Sequence, residues 1–204
     1  MTAIATEYHP FTPFLPANSQ ILMLGSFPPS EKRWSMHFYY PNFTNDMWRI
    51  FGHIFFRDKD RFVDLPNKTF HLDKLKVFLE AIGVALYDTA TAVRRTTGTA
   101  SDKDLEIVQP TDINALLAQI PQCRAIVTAG QLATDTLRAY FNIEQVPGMG
   151  EYADFIHPTF HTPMRLYRMP SSSRAYPMKL EKKAEHYERM LREILERHLF
   201  PSLE

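Results

Sequence analysis

Cysteine is almost absent from this sequence, since Cys123 is the only one in 204 residues. A lone thiol cannot form an internal disulfide, and it cannot supply a four-cysteine zinc or iron–sulfur site. No His-Glu-x-x-His or similar ligand pattern is present, and Pro158 disfavours a helix that would align His157 with His161. We therefore expect no metal and no cofactor.

Long apolar runs are also missing. No segment approaches the roughly 20 apolar residues that a membrane-spanning helix needs, and residues 1–19 show no basic-then-apolar signal pattern. A chain without a disulfide fits a reducing compartment. We therefore expect a cytoplasmic protein without a membrane partner.

Glycine is scarce, with seven residues against fifteen prolines, which predicts stiff loops around a modest set of regular elements. Gly148-Met149-Gly150 is too short for a dinucleotide fingerprint, and the loop at Gly25 lacks the Lys-Ser/Thr pair of a phosphate loop. A Gly-x-Ser-x-Gly nucleophile elbow is absent. These absences argue against dinucleotide enzymes, P-loop nucleotidases and serine hydrolases of the α/β type.

The chain has no excess charge of either sign, because 23 basic side chains balance 23 acidic ones. This counts mildly against a nucleic-acid partner, since such proteins usually present a basic surface. Charge can still be segregated locally. Arg94 and Arg95 lie in a segment that reads as a loop, and Arg174 follows another. The alternative for each arginine is an ordinary solvated surface position.

The apolar content, 45% of residues, suits one domain spanning residues 1–204, which we expect to be monomeric. Short apolar runs alternate with helical periodicity, which predicts parallel strands joined by helices. The expected fold is α/β, a three-layer sandwich with a central, mainly parallel four-stranded sheet and helices on both faces. The predicted strands are Ile21–Leu24, Val84–Tyr87, Ala125–Thr128 and Arg165–Met169. The predicted helices are one capped at Thr44, Leu72–Ile82, Ile113–Ile120, Leu132–Phe141 and about Met178–Leu199.

Polar and aromatic residues follow the predicted strands. Ligands of parallel α/β sheets bind at the carboxyl ends of the strands, so we expect a site in the loops that begin at residues 25, 88, 129 and 170. Asp88 is either an acceptor for a ligand N–H or a partner of neighbouring threonines. Asn45 is either a helix cap or an amide that holds a water. Phe38–Tyr40 is core or a stacking platform, and Ser171–Ser173 is a turn or a grip for phosphate.

Three groups of residues at these strand ends match one family in order and spacing. They are Gly25-Ser26-Phe27-Pro28 with Phe38-Tyr39-Tyr40 and Asn45-Asp46-Met47-Trp48, then Gly83 to Arg94, and then Met169 to Ser173. They resemble the signature of the uracil-DNA glycosylase superfamily, most of all its hypoxanthine-DNA glycosylase (deoxyinosine glycosylase) branch. Ser101-Asp102 is similar to a further Ser-x-Asp stretch of that branch. The resemblance spans about Ile21 to Tyr176.

The resemblance implies a monofunctional DNA glycosylase of base-excision repair. Such an enzyme flips a deaminated base, uracil or hypoxanthine, out of DNA and hydrolyses its N-glycosidic bond. It implies catalysis by Asn45, whose amide would orient the water. The substrate-binding residues that it implies are Gly25, Ser26, Phe27, Phe38, Tyr40, Asp88, Ser171 and Ser172. The DNA-binding residues that it implies are Arg95, Ser173 and Arg174.

One departure from the family pattern keeps other functions open. Phe27 stands where other branches carry Asp or Asn, and a phenyl ring can neither position nor activate water. Phe27 and the zero net charge also fit a catalytically silent DNA- or nucleotide-binding module of the same fold. A hydrolase of free nucleosides is a further alternative, because it would need no basic surface.

Overall fold

The fold is described from a computed structural model for residues 4–96 and 104–201, so Ser101 and Asp102 lie outside the described residues. The strands are β1 (Thr6–Tyr8), β2 (Ile21–Gly25), β3 (Val63–Asp64), β4 (Thr69–Phe70), β5 (Val84–Asp88), β6 (Ala90–Arg95), β7 (Leu105–Pro110), β8 (Ala125–Ala129), β9 (Glu151–Ile156) and β10 (Pro163–Met169). The helices are α1 (Met47–Phe56), α2 (Leu72–Ile82), α3 (Ile113–Leu117), α4 (Gln131–Phe141) and α5 (Leu180–Ile194). Short 3-10 helices cover Glu31–Arg33 and Arg197–Leu199.

The central sheet has the strand order β5-β2-β8-β10-β9. The first four strands are the predicted ones and run parallel, with Leu22 opposite Ala85 on one side and Ile126 on the other. All five residues of β2 and of β5 are buried, so both faces of the sheet are covered.

The predicted four-stranded sheet needs one correction, because a fifth strand makes the sheet mixed. β9 pairs antiparallel with β10 at the edge. Ala153 is the only buried residue of β9, so this strand lacks the apolar run that identifies a central strand.

A second, antiparallel sheet of order β1-β6-β7 was not predicted. The segment that reads as a loop after Asp88 is strand β6, so Arg94 and Arg95 lie on a strand. β6 contains small, apolar and charged residues without a regular alternation. Its partner β1 comes from the distant N-terminal segment. Local periodicity therefore carried little signal for this sheet.

The helices follow the predicted periodicity, with shifts at their ends. α1 begins at Met47, and the Thr44 hydroxyl bonds to the Asn42 side chain rather than capping the helix. α2 ends at Gly83, which has φ 69° and accepts the left-handed turn without a Cβ penalty. α5 ends at Ile194, short of the predicted boundary. No helix in the described residues is long and apolar enough to cross a membrane.

Candidate functional site

A cavity of about 1110 Å³ opens at the carboxyl ends of β2, β5, β8 and β10. Segments that follow these four strands line it, together with the stretch from Tyr39 to Asn45. Nine of the sequence-predicted site residues meet in this one cavity. They are Gly25, Ser26, Phe27, Tyr40, Asn45, Asp88, Ser171, Ser172 and Ser173.

Three predicted site residues do not line the cavity. Phe38 is 5% exposed and packs against Phe14, Tyr39 and Trp48, so it belongs to the core. The other two are Arg95 and Arg174, whose charges are already paired within the protein.

Arg95 holds the first loop in place. Its guanidinium lies 3.0 Å from a carboxylate oxygen of Glu7 and donates to the carbonyl of Pro28, and its side chain is 10% exposed. The same guanidinium lies 5.8 Å from the centre of the Phe27 ring. Arg95 thus connects β6 to the loop after β2, and its charge has little access to a phosphate.

Tyr40 takes a backbone conformation that is uncommon for a residue with a side chain, with φ 51°. Its ring stands nearly perpendicular to that of Trp48, with centroids 5.6 Å apart. The indole N–H of Trp48 donates to the carbonyl of Tyr39 and so holds the peptide that precedes Tyr40. Such strain persists only where the surroundings enforce it, and it often marks a binding site.

Asn45 lies between the start of α1 and the cavity. Its side-chain oxygen accepts the N–H of Met47 at 2.9 Å and so caps the first N–H of α1 from one residue before the N-cap position, Asp46. The residue also lines the cavity. The guanidinium of Arg49 donates to the carbonyls of Phe43 and Asn45 and so holds this turn against α1. The amide NH₂ group can still serve a ligand, since the cap uses only the oxygen.

A buried ion pair joins the start of α1 to the loop after β10. Lys183 is 0% exposed, and its amine lies 2.9 Å from Asp46 and 2.7 Å from the carbonyl of Ser173. The N–H of Asp46 donates to the carbonyl of Ser172, and Arg174 pairs with the other carboxylate oxygen of Asp46 at 3.3 Å. Lys183 was not singled out from the sequence, although it lies four residues before Tyr187 on the inner face of α5.

Asp88 ends β5 and is 7% exposed at the cavity wall. Its Oδ2 accepts from Nε2 of His9 at 2.9 Å, and the backbone N–H of Gly25 also bonds to its carboxylate. Burial raises the pKa of Asp88, while the bond from His9 opposes that rise. A Cβ on Gly25 would lie 2.5 Å from Oδ1 of Asp88, so glycine is required at this close approach.

Ser171–Ser173, the serine loop, forms a turn, which is one of the two structures predicted for this segment. The Ser171 hydroxyl accepts the N–H of Ser173, and the Ser173 hydroxyl accepts the N–H of Ala175. Ser172 is buried at the cavity wall. Among the described residues, no three His, Cys, Asp or Glu side chains lie close enough together to hold a metal ion.

His9 and Arg33 are among the residues at the site that sequence reasoning missed. His9 lies in the N-terminal segment, and no motif there signals its contact with Asp88. Arg33 is exposed and lines the cavity, at the end of the 3-10 helix after the first loop. Its position just beyond the Gly-Ser-Phe-Pro segment was the available signal.

Comparisons with known proteins agree with this architecture. No protein-family model matches the sequence, and no curated protein matches it either. Among solved structures, the chain is similar to a protein from Methanosarcina acetivorans described as a "putative Uracil DNA glycosylase". The sequences are 22% identical, the alignment covers 93% of this chain and 99% of the other, and the TM-score is 0.60. The two proteins therefore share a fold.

Proposed function

We propose that this protein is a DNA glycosylase that hydrolyses the N-glycosidic bond of a deaminated base, uracil or hypoxanthine, flipped out of DNA. The observation that carries the proposal is the convergence of Asn45, Tyr40, Asp88 and the serine loop on one cavity at the strand ends. Their order along the chain is that of the glycosylase motifs which the sequence resembles. The shared fold with the archaeal protein supports the same proposal.

The reaction needs a flipped base, a placed water and stabilisation of the charge that develops on the base. Tyr40 would stack on the base, and Asp88 would accept its ring N–H. Asn45 would orient the water through its amide, which positions the nucleophile without acting as a strong base. Phe27 would close the cavity beside the base.

The state of Lys183 supports hydrolysis by water rather than attack by an amine at this position of the protein. A glycosylase that also cleaves the strand uses an amine to attack the sugar carbon. Lys183 is fully buried and paired with Asp46, so it cannot reach a sugar. We therefore propose a monofunctional enzyme.

DNA would be held along the rim of the cavity. Arg33 is exposed there, and the Arg174 side chain is 57% exposed beside the serine loop. Ser173 and the backbone N–H groups of its turn are further candidates for phosphate contacts. We propose a cytoplasmic location because the sequence has one cysteine and therefore no internal disulfide.

The test is base release from oligonucleotides that contain one uracil, one hypoxanthine or one xanthine. The protein is incubated with each in low salt with a chelator, and alkali then cleaves the abasic sites. We expect cleavage at one of these bases, with strong loss in Asn45→Ala. No cleavage of any substrate by folded protein would refute the proposal.

Phe27 favours a second candidate, a catalytically silent module that binds DNA or nucleotides. This module would bind the same oligonucleotides without releasing base. A hydrolase of free nucleosides would instead turn over deoxyuridine or deoxyinosine as fast as it turns over DNA. The same assay, run with free nucleosides and with a binding measurement, separates the three functions.

A further inference from the structure

His9 lies outside the motifs that the sequence shares with glycosylases, whereas its partner Asp88 lies within them. His9 follows β1 directly, and its side chain is 2% exposed. Four aromatic rings surround its imidazole with centroid distances between 4.5 and 6.2 Å; they belong to Phe11, Phe27, Tyr39 and Tyr87. A buried imidazole joined to a buried carboxylate at the wall of a binding cavity affects what that carboxylate can recognise.

Nε2 of His9 faces Asp88, and the tautomer of the ring decides whether this nitrogen carries the hydrogen. Nδ1 lies 3.2 Å from the N–H of Phe11 and 3.0 Å from the carbonyl of the same residue. A neutral ring with its hydrogen on Nε2 accepts from that N–H at Nδ1 and donates to Oδ2 of Asp88 at 2.9 Å. We assign this tautomer because an ionised carboxylate can only accept, so the nitrogen beside it must carry the hydrogen.

We propose that His9 is a positioning residue that determines base specificity: by donating to Oδ2 of Asp88, it keeps this carboxyl a hydrogen-bond acceptor in the cavity. The inference rests on the proposed function and deepens it. An ionised carboxylate accepts hydrogen bonds and donates none, whereas a protonated one also donates. Without His9, burial would favour the protonated form of Asp88.

An obligate acceptor at this place distinguishes deaminated bases from their parents. Uracil and hypoxanthine carry a hydrogen on the ring nitrogen that Asp88 would face, whereas cytosine and adenine present a lone pair there. A carboxylate facing a lone pair leaves both acceptors unsatisfied and repelling each other, which costs binding energy. The pair would thus reject cytosine and adenine after flipping, whereas thymine and guanine, which carry a ring N–H at this place, would have to be excluded by other contacts of the cavity.

The other ionisable groups near Asp88 do not replace His9 in this role. Burial raises the pKa of Tyr39 and of Tyr87, and the charge of Asp88 adds to both rises, so both hydroxyls stay neutral at ordinary pH. The carboxylate of Glu7, two residues before His9, is paired with Arg95. Among these ionisable side chains, His9 is therefore the one that acts on Asp88 through a direct hydrogen bond, beside the backbone N–H of Gly25.

The test compares two replacements of His9. His9→Phe keeps a ring in the aromatic cage and removes the donor, whereas His9→Gln keeps an N–H that can reach Asp88. We expect His9→Phe to lower the rate of base release near neutral pH by roughly 10- to 100-fold, the effect of one hydrogen bond to a charged group. The rate should recover as pH rises and Asp88 ionises. His9→Gln should stay within a few-fold of the wild type.

Two further readouts separate this role from simple loss of structure. Tyr8→Phe, at an exposed neighbouring position, is the matched control and should behave as the wild type. Infrared titration of the Asp88 carboxyl, assigned by difference with Asp88→Asn, should show a higher pKa in His9→Phe than in the wild type. A folded His9→Phe protein with an unchanged pH profile and an unchanged Asp88 titration would overturn the inference.

Failure of the proposed function gives a different pattern. If the wild-type protein releases no base from any oligonucleotide, the glycosylase proposal is refuted, and binding then tests the role of His9. Preference for uracil over cytosine in the wild type, lost in His9→Phe, would support the inference. Equal preference in both proteins would overturn it.

Discussion

At the scale of single residues, Asn45 serves the helix and the cavity at once. Its oxygen caps α1 through the N–H of Met47, and the residue lines the cavity beside Tyr40. The capping bond restricts rotation of the side chain. An amide held in this way can orient a water without the entropic cost of ordering a free side chain.

Asn45→Ala should therefore lower both stability and activity. We expect a loss of about 1 kcal/mol in the free energy of unfolding, the usual cost of a lost cap, measured by urea denaturation. The single-turnover rate of base release should fall by about 100-fold, because the water is no longer placed. Thr44→Ala is the control, since the Thr44 hydroxyl bonds only to Asn42 in this turn. Equal effects of the two substitutions would contradict the assignment.

At the scale of elements, the site depends on contacts between segments distant in sequence. α1, the serine loop and α5 meet at Asp46 and Lys183, which are 137 residues apart. A buried ion pair is costly to form, and removing one partner leaves an uncompensated charge in the interior. The pair thus sets the position of the serine loop relative to Asn45.

Lys183→Met should destabilise the protein by about 3–5 kcal/mol, because the Asp46 carboxylate then loses its buried partner. Adding Asp46→Asn to this variant should recover part of the loss, and a double-mutant cycle from urea denaturation measures the coupling. Strictly additive effects would show that the two side chains do not interact in the folded protein.

The turn between β9 and β10 contains a buried histidine that resists protonation. Nδ1 of His157 accepts the N–H groups of Thr159 and Phe160 at 3.1 and 3.0 Å. Burial, and secondarily the charge of His161, lower the pKa of His157 below its ordinary value. A proton on Nδ1 would break both bonds of the turn.

This histidine should make stability depend on pH on the acid side of neutrality. The unfolded chain takes up the proton near pH 6.5, while the folded chain takes it up only at a lower pH. Stability is therefore complete above about pH 6.5 and declines as pH falls through that value towards the pKa of the folded state. His157→Asn keeps an acceptor without a titrating ring and should lose less stability between about pH 7 and pH 5.

Urea denaturation at each pH provides the measurement. His198→Asn, at an exposed position, should retain the acid sensitivity of the wild type. The same acid sensitivity in His157→Asn and in the wild type would rule out this role for His157.

At the scale of the whole molecule, zero net charge restricts how DNA could be held. With 23 charges of each sign, long-range attraction is weak, and binding must rely on a few local cations at the cavity rim. Arg33 is the exposed cation that lines the cavity, whereas Arg95 is held by Glu7. DNA affinity should accordingly be modest and fall quickly with salt.

Arg33→Gln should weaken binding to oligonucleotides of any sequence and reduce the slope of log affinity against log salt concentration by about 1. Fluorescence anisotropy over a salt series gives both quantities. Lys59→Gln is the control, because Lys59 lies beyond the end of α1 that is remote from the cavity. An unchanged slope in Arg33→Gln would exclude a phosphate contact at this residue.

Local sequence pattern was enough to predict the four parallel strands, the presence of the five helices and the loops that meet at the strand ends. Buried strands and amphipathic helices impose short-range periodicity, and Gly83 marks a helix end through its own backbone freedom. Motif spacing was enough to bring Asn45, Tyr40 and Asp88 into one predicted site.

The second sheet and the core position of Phe38 became apparent only in the tertiary structure. The same holds for the ion pair of Arg95 and for the partners of Asp88 and Asp46. His9 meets Asp88 across 79 residues of sequence, and Lys183 meets Asp46 across 137. Nothing in the local pattern around His9 or Lys183 distinguishes either residue from an ordinary surface position. Its role arises from the charge that the folded chain places beside it, because the energy of a buried pair depends on distance and burial rather than on sequence separation.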